Sequence, residues 1–342
     1  AGAGADSDGV NANNAAAHTI VSTSDAAVMI IGSSATNEGV RLVQSSVATT
    51  GAGGSVTLQG TTTGTGTDAD GVIVSSSSIS TMADTATISV TGISAGDDGV
   101  HLSSGSLMTT GTAGSITIMG TTTGTGTGSD GVFAFGSTMT TMGDMATVSY
   151  TGMSAGDDGV HLSSSGTTAG GSITVMGITT GTGTDADGVF AFDSALNTQG
   201  AAGAILVTGT SAGDDGTHLS SSATSTIGAA GSISIMGTTT GTGADADGVF
   251  ASESAMDTMG DTASISVTGM SAGDDGVVLS ESGATTAGSS ASISIMGTTT
   301  STGTTSDGVR ARLSAIGTQG DTATISVTGV TAGDDLSLIH IS

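Results

Sequence analysis

Apolar and polar residues alternate along this chain in short runs with a period of two. "SITIMG" (Ser115–Gly120) places Ile116 and Ile118 on one face, and "TISVTG" (Thr87–Gly92) does the same with Ile88 and Val90. In "VHLS" Val100 and Leu102 share a face and His101 takes the other. Successive side chains of an extended chain point to opposite faces, so the alternation predicts half-buried β-strands. A weaker segment such as "TMTTMGD" (Thr138–Asp144) lies between the stronger ones, and Gly-rich corners separate all three. No stretch shows the 3.6-residue period of an amphipathic helix.

The runs recur on a schedule. Aligning on Asp-Gly-Val puts Asp8, Asp70, Asp98, Asp130, Asp158, Asp187, Asp215, Asp247, Asp275 and Asp307 in one column, with Glu38 filling one slot and Asp335 at the next expected position. Units are 28–32 residues long and two kinds alternate. One kind reaches the anchor through "SAGDDG", beginning at Ser94, Ser154, Ser211 and Ser271. The other uses "TTTGTGTDADGV" (Thr61–Val72) or a variant of it. Three short strands per unit, joined by tight turns, predict an all-β fold: a parallel β-helix (β-solenoid) of about eleven coils over residues 1–335. One coil cannot bury its apolar face, whereas stacked coils bury an axial column of Ile, Val, Leu and Met. With coils ~4.8 Å apart, the rod is on the order of 50 Å long. The absence of Pro fits, because each strand residue must donate to a neighbouring coil.

Parity then predicts which side chains face out. The residue after the anchor Val is Arg41, Ile73, His101, Phe133, His161, Phe190, His218, Phe250, Val278 or Arg310. An unpartnered Arg in a narrow apolar column costs several kcal/mol, so this position is expected to face solvent, and Phe135, Phe192 and Arg312 with it. The result is an external stripe in which His101, Phe133, His161, Phe190, His218 and Phe250 form a candidate partner surface. Such rings can hold a carbohydrate or a neighbouring rod. They can also simply pack on one another.

Composition narrows the classes. The 342 residues carry a formal charge of −27 with no Cys, Pro, Trp or Lys. Low aromatic content with high net charge points to disorder, but only 10% of residues are charged and the β-branched positions keep their schedule, so order is expected. Zero Cys excludes a disulfide scaffold and a thiolate metal site. An acidic chain without Lys suits neither nucleic acid nor an anionic membrane surface. No apolar run approaches the ~18 residues of a membrane span, so no membrane insertion of this segment is expected. There is no signal peptide, and Ala1 reads as mid-repeat. Where "GV" belongs after Asp335 the sequence gives "LSLIHIS" (Leu336–Ser342), which resembles the translation of a transposon-end adapter from DNA sequencing libraries. Residues 336–342 are therefore read as a non-native tail, and residues 1–335 as a fragment open at both ends. Open strand edges favour end-to-end association.

Three readings of the paired carboxylates compete. Pectin-degrading hydrolases on β-helices use a Gly-Asp-Asp stretch, but with Asn-Thr-Asp, Gly-His-Gly and Arg-Ile-Lys segments that are absent here. Polysaccharide lyases on the same fold need a basic residue near a metal or substrate carboxylate. An active site is also a single constellation, whereas this motif repeats at a fixed pitch, so no catalytic residue is assigned. Calcium is the second reading. "GTGTDADGV" (Gly181–Val189) is similar to the nonapeptides of calcium-binding β-rolls and to the start of an EF-hand loop. It recurs only on alternate units, carries Asp187 where a large apolar residue belongs, and lacks the Glu of the twelfth EF-hand position. The candidate calcium ligands are Asp68, Asp70, Asp185, Asp187, Asp245 and Asp247; the copies at Ser129-Asp130 and Ser306-Asp307 lose one carboxylate. No other cofactor is expected. The third reading is a corner: Asp accepts nearby backbone N–H groups while the following Gly takes φ > 0. Stacking then makes an Asp ladder whose neighbours repel by roughly 1 kcal/mol in water, offset by local hydrogen bonds and loosely held cations. The corner is preferred. "TTTGTG" occupies a loop on alternate coils, which argues against a continuous ice-binding Thr lattice.

Over residues 1–335 the recurring "DGV-x-φ…GSI-x-φ-x-G" pattern, with φ apolar, resembles the repetitive regions of bacterial surface adhesins of the filamentous-haemagglutinin and autotransporter-passenger kind. The resemblance implies a right-handed parallel β-helix, secretion, and a place outside the cell or on its surface. It also implies a structural or adhesive rod without catalysis, with host or environmental glycans or neighbouring rods as partners.

Overall fold

A computed structural model describes residues 8–13, 19–23, 25–333 and 338–339. Its strands form three parallel sheets of twelve, eleven and eleven strands, and each strand pairs with the one three places along the chain. Each sheet therefore gains one strand per coil, giving a β-solenoid of about eleven coils. The anchor Asp335 and most of the tail 336–342 lie outside the described residues, although the backbone of Leu338 and Ile339 pairs with Arg310 and Ala311. No helix of the described residues is long and apolar enough to cross a membrane.

One coil shows how the sequence is used. Val100–Ser103 lies in the first sheet, Ser106–Thr109 in the second and Ser115–Thr122 in the third. Val100 pairs with Val72 below and Val132 above, the register that the Asp-Gly-Val alignment predicts. Two coil lengths fit one register because the extra residues sit in a turn: residues 123–131 lead to Val132, but only 155–159 lead to Val160.

Inward-facing residues stack on their counterparts. Ile116 pairs with Ile88 and Val148, and Ile118 with Val90 and Tyr150, all fully buried. Each such aliphatic side chain contributes about 1.5–3 kcal/mol of transfer free energy, coil after coil. Tyr150 brings a hydroxyl into this column and pairs it with Thr167 Oγ1 at 2.6 Å. Methionine departs from the expectation. Met139 and Met256 belong to the core cluster, whereas Met119, Met176 and Met236 point outward from the third sheet.

The corner glycine also differs from the expectation. Gly99 does not take positive φ; among the described glycines only Gly128 and Gly136 do. It is required for space. A Cβ on Gly99 would lie 2.2 Å from Thr121 N and 2.6 Å from Gly131 O, and one on Gly120 would lie 1.7 Å from Gly131 O. Two backbones meet at this corner with no room for a side chain.

Left-handed backbone occurs elsewhere, just after the first-sheet strands from Val40–Val43 to Val309–Arg312. Ser76, Ser104, Ser164 and Glu253 have φ near +50°, a conformation costing roughly 1–2 kcal/mol for a residue with a Cβ. The next residue compensates. Ser165 Oγ accepts the Ser137 N–H at 3.2 Å and donates to Ala134 O at 2.9 Å, and Ser194 Oγ accepts the Ser165 N–H in turn. A buried Ser ladder thus ties each coil to the next, interrupted at Gly105.

Candidate functional site

The "SAGDDG" corner is assembled from its first serine. Ser94 Oγ accepts the N–H groups of Gly96 (2.9 Å) and Asp97 (3.1 Å) and donates to Ala69 O (2.5 Å), fixing the turn against the coil below. Ser154, Ser211 and Ser271 repeat this arrangement. The turn leaves the first Asp half-buried at Asp97, Asp157 and Asp214 and buried at Asp274, and directs the second inward, where Asp98 is 3% exposed.

The buried carboxylates form one continuous spine. Asp70 Oδ1 accepts the Asp98 N–H at 2.8 Å, Asp98 Oδ1 accepts the Asp130 N–H at 2.8 Å, and the chain runs on through Asp158, Asp187, Asp215, Asp247 and Asp275 to the Asp307 N–H. Each acceptor lies one coil away from its donor. The corner reading therefore holds in a modified form: the Asp satisfies its counterpart in the next coil instead of its own turn.

From Asp70 to Asp215 the other oxygen of each carboxylate faces an imidazole. His161 Nδ1 lies 3.1 Å from Asp158 Oδ2 and 3.4 Å from Asp130 Oδ2. His218 Nδ1 lies 3.2 Å from Asp215 Oδ2 and 3.4 Å from Asp187 Oδ2. His101 stands 3.0 Å from Asp98 and 3.9 Å from Asp70. Near the two ends Arg takes this role: Arg41 pairs with Glu38 at 2.6 Å and Arg310 with Asp275 at 3.0 Å. Between His101 and His218 the spine thus has one imidazole for every two carboxylates, and Phe takes the same position on the alternate coils.

Burial opposes the charge on His161 and His218, but the two carboxylates beside each outweigh it and push both imidazoles up to about 10. Burial, reinforced by like-charged neighbours, holds Asp98, Asp158 and Asp247 well above the usual carboxylate range. The same causes raise Asp214 to about 8 and Asp157 to about 6.

The six rings of the expected stripe form one stack. His101, Phe133, His161, Phe190, His218 and Phe250 follow one another edge to face, with centroids 4.8–5.0 Å apart. They point outward as parity predicts, yet their mutual packing leaves them only half exposed; Val278, at the same position, is buried. Phe135 and Phe192 are the more open rings, at 47% and 44% exposed. A cavity of ≈ 330 Å³ opens beside the stack, lined by Asp158, His161, Asp187, Phe190 and His218 and rimmed by Asp157, Asp185 and Asp214.

Of the six candidate calcium ligands, the structure places Asp70, Asp187 and Asp247 in the buried spine and leaves Asp68, Asp185 and Asp245 exposed on the turns. The groups that do converge are Asp70–Asp98–His101, Asp130–Asp158–His161, Asp187–Asp215–His218 and Asp247–Asp274–Asp275, each with one ligand atom per residue within 4.8 Å of the others. The first three offer one imidazole and two carboxylates, a donor set suited to a divalent cation in place of the imidazolium proton. Their cross-coil partners and the Ser ladder escape a reading of single repeats. The available signal was a Ser at the fifth position after nearly every anchor, with Ala15 and Gly105 as the exceptions. Comparison with protein-family models, with curated proteins and with solved structures finds no match to this chain.

Proposed function

We propose that the chain is a structural or adhesive rod from a large secreted or surface-anchored repeat protein, without catalysis. One observation carries this reading: the acid corner is built alike in coil after coil, and its carboxylates are spent on the N–H groups and cations of neighbouring coils. A catalytic pair is a single constellation with a free face for substrate; here the second Asp of each described pair, Asp98, Asp158, Asp215 and Asp275, accepts an N–H of the next coil. The adhesive version rests on the ring stack and the cavity beside it. A glycan array with the chain and its H161S/F190S variant tests it. Glycan binding lost in the variant supports adhesion through the stack, and unchanged binding assigns the rings to packing. Polysaccharide turnover abolished by Asp158→Asn would overturn the non-catalytic reading.

A second reading is favoured by the Asp247–Asp274–Asp275 group, whose donors are all carboxylate oxygens as calcium requires: a calcium-stabilised segment of a secreted repeat protein. Calorimetric titration with calcium would then show saturable uptake at about one ion per chain, and its absence would remove this reading.

A further inference from the structure

Among the described residues, no charged side chain lies on the strands of one face of this rod. The third sheet contains the longest strands, and none of the 30 acidic residues, nor any Arg or His, falls in its eleven strands. Its outward positions are filled by Ser, Thr and Met with a few Ile, Leu and Val. One outward column reads Met119, Thr151, Met176, Thr208, Met236, Thr268, Met296, in register from coil to coil. The methionines of this column are 38–46% exposed. The neighbouring column is offset by one coil: Met153 pairs with Thr121, and Met270 with Thr238. Long and short side chains alternate with a period of two coils along the first column, and along the second except where Met153 pairs with Ile178 and Thr210 with Thr238.

We infer that this face docks a second copy of the chain, side by side and antiparallel. Three properties select that occupant. Charge comes first. With a formal net charge of −27 on each rod, two copies repel one another except through this sheet, where neither presents a charge. Size comes second. Eleven strands ~4.8 Å apart and seven or eight residues long present roughly 1,200 Å² per rod, so a paired face removes about twice that from water. This exceeds the ~1,200–2,000 Å² total of a stable specific interface.

Shape comes third. A two-fold axis along the strand direction, passing between adjacent coils, keeps each column opposite itself and maps every coil onto one of the other type. Met176 then faces Thr208 of the second rod, and Met119 faces Thr268. The same operation sets Met153 against Thr238. A parallel two-fold runs along the rod axis and reverses the strands across the interface, so a column faces a different column and the match of long with short is no longer set within one column. The antiparallel isologous pairing fits long side chains over short ones throughout.

Sedimentation equilibrium of the whole chain and of M176E/M236E, with circular dichroism and melting as a fold control, tests the inference. The wild type is expected as a dimer at tens of micromolar, tightened by salt because screening relieves the remaining repulsion. The M176E/M236E variant is expected as a monomer of unchanged melting temperature, and H161S/F190S as a dimer. Small-angle scattering should give a dimer about as long as the monomer but thicker by about 10 Å or more, the sheet-to-sheet distance plus the rod behind it. A monomeric wild type, a dimer that survives M176E/M236E, or a particle of doubled length would overturn the inference; doubled length would identify end-to-end association instead.

Discussion

Replacing Asp158 by Asn isolates the electrostatics of the spine. The substitution keeps a carbonyl oxygen able to accept the Asp187 N–H, now held at 2.7 Å, so the stacking bond has a substitute. It removes the nearer of two carboxylates flanking His161, the one at 3.1 Å, and leaves Asp130 at 3.4 Å. One opposite charge at this range moves a pKa by about 1–3 units. The His161 midpoint should therefore fall from about 10 to roughly 7–9. Each unit corresponds to about 1.4 kcal/mol of preference for the imidazolium, to be discounted because the ring is 23% exposed. Stability is a poor readout here. Neutralising Asp158 also relieves its burial and its repulsion from Asp130 and Asp187, and the two effects oppose. The direct assay is an NMR titration of the imidazole Cε1–H signals, tractable with five histidines in the sequence. His218, whose partners Asp187 and Asp215 are untouched, serves as an internal control and should keep its midpoint of about 10. A wild-type His161 titrating near its ordinary value, or an unchanged midpoint in the variant, would refute the reasoning.

Stability should rise on acidification. Asp214, Asp275 and Asp157, raised to about 8, 7 and 6, bind protons more tightly folded than unfolded, so each adds stability as pH falls from its folded value toward the unfolded one near 3.8. The contribution of His161 and His218 is complete below about 6.5 and lost as pH rises through about 10. Melting temperatures should thus be several degrees higher at pH 5 than at pH 9, and the reverse order would contradict the assignments. Gly105→Ser restores the missing rung of the Ser ladder, and a Cβ there meets only ordinary contacts at 3.4 Å and beyond. It should stabilise by about 1 kcal/mol in urea unfolding. Ser222→Ala leaves the Ser194 N–H without its acceptor and should destabilise by about 1–3 kcal/mol in the same assay. Gly152→Ala puts a Cβ 1.7 Å from Gly159 O and should cost about 3 kcal/mol or more, visible as fast amide exchange in the adjoining coils.

The register of the solenoid is legible in the sequence because both of its signals are local. Alternation places Ile116 and Leu102 inside, and the Asp-Gly-Val column aligns Val72, Val100 and Val132 as they pair. Parity alone orders the ring stack. The identity of each hydrogen-bond partner is not local. Asp98 could accept from its own turn or from the coil above, and only stacking decides for Asp130. Ser164 and Glu253 adopt a left-handed backbone that no side-chain preference announces, because the following buried Ser compensates through the neighbouring coil. Gly99 reads as a turn residue, whereas its requirement is the approach of Thr121 and Gly131 from another coil. Methionine misleads for a related reason: hydropathy assigns Met119 to the core, but its parity within a strand places it outside. Composition misleads in the same way, since an overall charge of −27 conceals a sheet without any charge.

The central claim is that the repeated carboxylates hold coils together rather than wait for a ligand. Thermal unfolding of chelator-treated chain, wild type against Asp187→Ala, tests it most directly. The substitution removes the acceptor of the Asp215 N–H and one partner of His218. The account predicts that Asp187→Ala melts well below the wild type in the chelator, and that calcium leaves the wild-type Tm where it was. A wild type that loses its fold on chelation and regains it with calcium, while Asp187→Ala in chelator melts no lower than the chelated wild type, would contradict it.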